Sequence, residues 1–332
     1  MSKLATVVSA ELGSRIRFCE RIGFEIEGFT PWSSSKGLSE FQGGKMFDEA
    51  GENHAEIALD PFSTAGESFD VLRQVHARHP EIQFVPFRPT ELMGTENVWH
   101  QGSRLDTLRM ALDIEKPGHR EWLCKLTNRA ALHVNFSGQF DPAGDEGAFI
   151  VNLMNDLALF FAAKIHDEIG FGHGHLSVWQ RFALINRLPE YGRWFKSGAD
   201  MISYIESTPR LIKRVGDNEY LIPFGELMQV TEPVDMGNLW WFCRLKMDQH
   251  GNWYLELRYI PSMPLSLAEY YAQQAIDMLE TILNWYHGPN GSQPVISREM
   301  AWSGYKYLGN SFPGFVPSQL LGSTEWHRLF ER

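Results

Sequence analysis

Two glutamates, Glu25 and Glu27, stand two residues apart in the segment Phe24–Phe29, whose remaining residues are apolar or glycine. In a β-strand, residues i and i+2 point to the same face, so the two side chains would stand roughly 6–7 Å apart. Carboxylates that close raise each other's pKa unless a cation lies between them. The pair therefore suits metal binding, although an exposed strand with two solubilising acids would show the same spacing.

The segment Leu132–Ser137 shows the same alternation, with His133, Asn135 and Ser137 on one face and apolar side chains on the other. Polar side chains spaced in this way can contact a metal ion, a phosphate and a carboxylate or sugar. A lone histidine on a strand, however, is often only a surface group. Glu56 adds a further acid on one face of the segment over residues 55–60.

Cationic side chains follow in the C-terminal part of the chain. Glu256 and Arg258 share one strand face, and the preceding segment places Arg244 and Lys246 together on another. Phosphoryl transfer needs cations that neutralise charge on the moving oxygens, whereas a cross-strand ion pair would contribute less than about 1 kcal/mol. Hard oxygen ligands with one histidine, spread over separate strands but on one face, favour a magnesium or manganese site.

The elements that must position these residues follow from periodicity. Alternating segments with one apolar and one polar face predict an antiparallel sheet with one face on a core. The spacing of apolar residues predicts helices over Ser63–His79, Glu146–Ile169 and Ser266–His287. Pro31–Gly44 has the composition of a loop. No loop is long enough to separate two units, which favours a single domain over residues 1–332.

Composition excludes several classes of protein. The chain has 332 residues with 30 Lys+Arg and 41 Asp+Glu, a net charge of −11, and 43% hydrophobic residues. An acidic chain with this apolar content is globular and lacks the basic surface of a nucleic-acid binder. The sequence has three cysteines without a CxxC spacing, which predicts a cytoplasmic protein. Its longest apolar run is Leu157–Ala163, which predicts that the protein has no membrane partner. P-loop, GxGxxG and GxSxG motifs are absent from the sequence.

The motifs, in this order, resemble those of the glutamine synthetase and glutamate–cysteine ligase superfamily, most closely the carboxylate–amine ligases of the second glutamate–cysteine ligase family. The matching residues are Glu25 and Glu27, Glu56, the run from His133 to Ser137 with Asn135 where the pattern has a second histidine, Arg181, Arg244, and the Glu256–Arg258 run. The resemblance extends from about residue 20 to residue 285.

The resemblance implies an α+β fold in which a curved antiparallel sheet has helices on its outer face and the site in its concave polar face. It implies an ATP-dependent carboxylate–amine ligase that uses Mg²⁺ or Mn²⁺, forms an acyl phosphate from a glutamate-like acid, and transfers the acyl group to an amine. The residues implied as metal ligands are Glu25, Glu27, Glu56, His133 and Glu256.

The resemblance also implies roles for the remaining polar residues. Arg258 and Arg244 would stabilise the transferring phosphoryl group, and Arg181 would hold a carboxylate or a phosphate. The nucleotide or substrate would contact Asn135, Ser137 and Lys246.

Several alternatives stay open. Either Asp48 or Glu49 could complete the metal site. The protein could be a phosphotransferase of the guanidino-kinase-like class, or a non-catalytic relative that binds a nucleotide or an amino acid. A homo-oligomer is possible, since the aromatic-rich C-terminal segment could pack on its own sheet or on a neighbouring copy.

Overall fold

The chain folds as an α+β protein around a seven-stranded antiparallel sheet. The computed structural model describes residues 17–31, 39–48, 53–89, 129–155, 165, 195–207, 212–215, 218–221 and 241–287. The strands of the sheet are β1 (Cys19–Phe29), β2 (Ser39–Phe41), β3 (Gly44–Asp48), β4 (His54–Leu59), β5 (Ala131–Gly138), β8 (Cys243–Met247) and β9 (Trp253–Pro261). Their order across the sheet is β2-β3-β4-β1-β5-β9-β8, and every pairing is antiparallel.

The other described elements are four helices and a hairpin. The helices are α1 (Ala65–Arg78), α2 (145–155), α3 (Gly198–Ser207) and α4 (Leu265–His287), and the hairpin joins β6 (Ile212–Val215) to β7 (Asn218–Leu221). The predicted helices are confirmed at α1 and α4, and α2 begins where predicted, while most of the rest of its predicted range lies outside the described residues. No helix in the described part of the chain has both the length and the apolar character needed to cross a bilayer.

The apolar face of the sheet packs on the helices and forms the core. Alternate residues of the central strands, such as Phe24, Leu132 and Leu257, are at most 1% exposed and belong to one cluster with buried residues of α1 and α4. The ring of Phe24 meets that of Phe69 on α1 edge-on, with centroids 5.1 Å apart. The Arg73 guanidinium of α1 binds the Glu269 carboxylate of α4 at 2.8 Å, which ties the two helices together.

Local sequence signals explain where α1 begins. Thr64 is the N-cap, and its hydroxyl accepts the Glu67 backbone N–H while the Glu67 carboxylate accepts the Thr64 backbone N–H. This capping box satisfies two amides that the first turn would otherwise leave without partners.

The N-terminal end of β1 is attached to the C-terminal half of α4. The Glu280 carboxylate accepts the backbone N–H groups of Phe18, at 2.9 Å, and of Cys19, at 2.6 Å. Because β1 carries Glu25 and Glu27, this contact fixes the strand with the paired acids against the helical layer.

The interpretation of Pro31–Gly44 as a loop is wrong at its C-terminal end. Residues 39–41 form β2 and pair with β3, which begins at Gly44. Gly43 has a φ of +94° in the intervening turn, a conformation that favours glycine. The strands are short, so alternation over a few residues did not distinguish them from a loop.

Candidate functional site

The polar face of the sheet collects side chains from five neighbouring strands. Strand pairing places Glu25 opposite His133, Glu27 opposite Glu56, and Glu256 opposite both Asn135 and Arg244. Residues directly opposite each other on antiparallel strands share a face. The acids that are dispersed in the sequence therefore lie on one surface, as the alternation predicts.

This surface is buried. The exposed fractions are 9% for Glu27, 8% for Glu56, 2% for His133, 3% for Arg244 and zero for Glu256. Charged groups removed from water in this way require partners, so the contacts within the cluster determine its charge states.

Glu25, His133 and Glu256 form the centre of the site. His133 Nδ1 lies 3.1 Å from Glu25 Oε2 and 3.6 Å from Glu256 Oε1. One potential ligand atom from each of the three residues lies within 4.8 Å of the other two, an arrangement that no other trio of His, Cys, Asp or Glu matches within the described residues. Two oxygen and one nitrogen ligand of this kind suit Mg²⁺ or Mn²⁺.

Three cationic side chains surround Glu256. Arg244 Nε donates to Oε2, Arg258 Nη1 lies 3.4 Å from the same oxygen, and Lys246 Nζ lies 3.4 Å from Oε1. Burial alone would raise the pKa of Glu256, but the charges of Arg244, Arg258 and Lys246 hold it well below its ordinary value. Glu256 is therefore a carboxylate at neutral pH.

Glu25 is the more accessible acid of the centre. Its Oε1 accepts a hydrogen bond from Asn135 Nδ2 at 3.1 Å and lies 3.8 Å from Lys246 Nζ. Burial and the charge of Glu256 would raise its pKa, but His133 and Lys246 outweigh them, so the pKa is lowered. Lys246 thus bridges the two acids.

Glu27 lies one step along β1 from this centre. Its Oε2 accepts the Ala131 backbone N–H at 2.7 Å and is 3.6 Å from His54 Nε2, and its Oε1 is 4.0 Å from His133 Nε2. Burial would raise the pKa of Glu27, but the close contact with His54, the charges of both histidines and the Ala131 N–H lower it to about 2.

The donor set fits a divalent cation in two respects. Ligand atoms on opposite sides of an Mg²⁺ at about 2.1 Å lie about 4.2 Å apart, so atoms within 4.8 Å need only small movements to share one ion. Two buried polar atoms of the cluster, His133 Nε2 and Asn135 Oδ1, have no hydrogen-bond partner among the described residues. Such atoms carry a desolvation cost that a bound ligand removes.

The charges on this face also leave room for a cation. The carboxylates of Glu25, Glu27, Glu56 and Glu256 face three permanent cations, Arg244, Lys246 and Arg258. These four carboxylates and three cations together carry one net negative charge, which a divalent ion would more than balance.

The structure brings most of the predicted site residues together. Glu25, His133, Asn135, Arg244, Lys246, Glu256 and Arg258 are linked by the contacts above, Glu27 adjoins them, and Glu56 lies opposite Glu27. Ser137 shares the face but lies opposite Arg21, two residues beyond Asn135. Arg181, Glu49 and the side chain of Asp48 lie outside the described part of the structure.

His54 is the site residue that the motifs missed. It precedes Glu56 by two residues in β4 and therefore shares its face. That alternation was available in the sequence. The contact with Glu27 was not, because it depends on the pairing of β4 with β1.

No protein-family model matches the sequence, and no curated protein is significantly similar to it. Among solved structures, the chain is similar to the crystal structure of a bifunctional glutathione synthetase from Pasteurella multocida, with 11% sequence identity and a TM-score of 0.37. The match covers 98% of this chain and 49% of that one, so the chain spans about half the length of the bifunctional protein.

Proposed function

We propose that this protein is an ATP- and Mg²⁺-dependent carboxylate–amine ligase with a glutamine synthetase-like catalytic sheet. The observation that carries the proposal is the buried cluster in which Glu25, His133 and Glu256 meet beside Arg244, Lys246 and Arg258. Acids that gather a divalent cation, next to guanidinium groups that face anionic oxygens, form the environment that phosphoryl transfer requires.

The acidic residues and His133 would bind the cation, and Arg258 would contact the phosphoryl group. Glu25, His133 and Glu256 would hold a cation, with Glu27 and Glu56 beside them on the same face. A bound Mg²⁺ would neutralise phosphate charge and orient the reacting groups. Arg258, whose side chain is 11% exposed, can turn a guanidinium group toward a transferring phosphoryl group while Arg244 keeps Glu256 paired.

The reaction would have two steps. An oxygen of the substrate carboxylate bonds to the γ-phosphorus of ATP, the bond from that phosphorus to the bridging oxygen breaks, and ADP leaves. The nitrogen of the amine then attacks the acyl carbon, loses a proton, and displaces phosphate to leave an amide. Preorganised cations stabilise the charge that spreads over the phosphoryl oxygens in the first step. The acid would be glutamate-like, with a γ-glutamyl-type amide as product.

A panel of amino acids and amines, assayed with ATP and Mg²⁺ for release of ADP and phosphate, tests this function. Arg258→Met should lower kcat by about 10²–10³, the cost of removing one preorganised donor. Arg78→Met is the matched control, because Arg78 is exposed in the last turn of α1. Absence of nucleotide turnover with every acid–amine pair contradicts the proposal.

One observation favours a second candidate, a non-catalytic relative that binds a nucleotide or an amino acid. The carboxylate of Glu256 is already contacted by three cations, so the cluster is stable as an ion network. Tight ATP binding by calorimetry without turnover would support this candidate. In the same assay, a stable phosphorylated product formed without amine would instead identify a phosphotransferase.

A further inference from the structure

His54 occupies a fixed position at the beginning of β4. Strand pairing places it opposite Phe29 of β1, and its imidazole stacks on the Phe29 ring with centroids 5.0 Å apart and planes at 20°. The residue is 4% exposed. An imidazole held against an aromatic ring at this depth has a defined orientation.

Packing on Phe29 gives the two ring nitrogens of His54 no hydrogen-bond partner. Neither ring nitrogen has a hydrogen-bond partner among the described residues, and Nε2 is 3.6 Å from Glu27 Oε2. A buried polar nitrogen without a partner is costly, and 3.6 Å is longer than a hydrogen bond. The side chain therefore faces Glu27 across a gap that a small movement would close.

The two oxygens of Glu27 have different surroundings. Oε2 accepts the Ala131 backbone N–H and faces His54, whereas Oε1 faces His133 Nε2, which itself has no hydrogen-bond partner among the described residues. Holding Oε2 on one side leaves Oε1 directed toward Nε2 of His133, the residue whose Nδ1 contacts Glu25 and Glu256.

We propose that His54 is a positioning residue for Glu27: its Nε2–H faces Oε2, restricts rotation of the carboxylate, and keeps Oε1 available to a divalent cation. The inference rests on the proposed function, because it adds Glu27 to Glu25, His133 and Glu256 as a ligand of the proposed cation. Partners of this kind, which orient a ligand without touching the metal, change metal affinity by about 10–100-fold when they are removed.

The affinity of the full chain for Mn²⁺, measured by electron paramagnetic resonance without nucleotide, tests the inference. His54→Phe keeps a ring against Phe29 but removes the donor, and should weaken Mn²⁺ binding by about 10–100-fold. His54→Gln places an amide N–H near the original Nε2 and should bind Mn²⁺ within about threefold of the wild type. His250→Phe is the matched control, because His250 is an exposed histidine in the β8–β9 turn.

Chemical unfolding without Mn²⁺ separates positioning from packing. A purely structural role would lower the free energy of unfolding of His54→Phe and leave the Mn²⁺ affinity of the folded protein unchanged, which would overturn the inference. Equal weakening by Phe and Gln would also overturn it. Should His54→Phe not fold, His54→Leu serves for the same comparison. A wild-type chain that binds no Mn²⁺ would refute the proposed metal site together with this inference, whereas normal wild-type binding with an unaffected His54→Phe refutes the inference alone.

Discussion

Replacing Glu256 with glutamine tests whether the buried cluster is an ion network that depends on this one carboxylate. The substitution keeps the size of the side chain and removes its charge. Arg244, which is 3% exposed and donates to Glu256 through Nε, loses the charge of that acceptor. Lys246 keeps Glu25 at 3.8 Å, whereas Arg244 loses the carboxylate to which its Nε donates and keeps the attraction of Glu25.

The expected magnitude follows from this burial. Removing one partner of a buried ion pair costs about 3–5 kcal/mol, because the remaining charge loses its nearest opposite charge. Domains of ordinary stability have about 5–15 kcal/mol, so Glu256→Gln should fold with a much lower urea midpoint and an unchanged m-value. Glu269→Gln is the control, since it breaks the exposed Arg73–Glu269 pair and should cost at most about 1 kcal/mol.

A double-mutant cycle completes the assay. Arg244→Met removes the cation whose Nε donates to Glu256. The double variant Arg244→Met/Glu256→Gln should be more stable than the sum of the two single effects by about 2 kcal/mol or more, because both charges of this one contact are then removed together. Additive effects, or a loss of less than about 1 kcal/mol for Glu256→Gln, would refute the reasoning, since they would mean that water solvates both groups.

Three further predictions concern stability at low pH, the N-cap of α1 and a close contact between β1 and β5. The pKa of the Glu27 carboxyl is lowered from 4.5 to about 2, so its charge contributes stability that is complete above about pH 5 and falls as the pH drops. Between pH 6 and 3.5, urea titrations should show the wild type losing about 1.4 kcal/mol more free energy of unfolding than Glu27→Gln. The exposed control Glu40→Gln should follow the wild type, and parallel curves for Glu27→Gln and the wild type would contradict the lowered pKa. Thr64→Ala removes the capping hydroxyl of α1 and should cost about 1 kcal/mol in urea unfolding, an expectation that an unchanged midpoint would overturn. At Gly138, a Cβ would lie 2.0 Å from the Phe18 carbonyl oxygen, so Gly138→Ala should lower the free energy of unfolding by about 1–3 kcal/mol; a neutral result would show that β1 can move away.

The alternation of polar and apolar residues predicts the faces of the central strands correctly. His133 and Asn135 point to one side of β5 and Leu132 and Val134 to the other, because side chains on a strand alternate whatever the strand pairs with. Burial of the apolar set against helices then determines which side is the polar one.

Pairing and turns are less accessible from the sequence. Arg244 meets Glu256 because the β8–β9 turn, with Gly251 at a φ of +83°, sets that register. The contact of His54 with Glu27 needs β4 to pair with β1, and the three-residue strand β2 is too short for alternation to reveal. These features depend on distant partners or on one backbone angle, which composition and spacing do not report.

The position of β1 between β4 and β5 has a consequence for synthesis of the protein. The Glu25–His133 contact joins residues separated by 108 positions, and Glu256 enters from β9, near the end of the described chain. Closing loops of that length is slow relative to local pairing. On the ribosome, β3 and β4 can pair with β1 early. The other edge of β1 stays unpaired until β5 has been made, and the Glu25–His133–Glu256 centre is complete only once β9 has emerged. Until β5 has been made, the unpaired edge of β1 can pair with the wrong strand. Dependence on chaperones should therefore be greatest for chains whose synthesis is halted between β4 and β5.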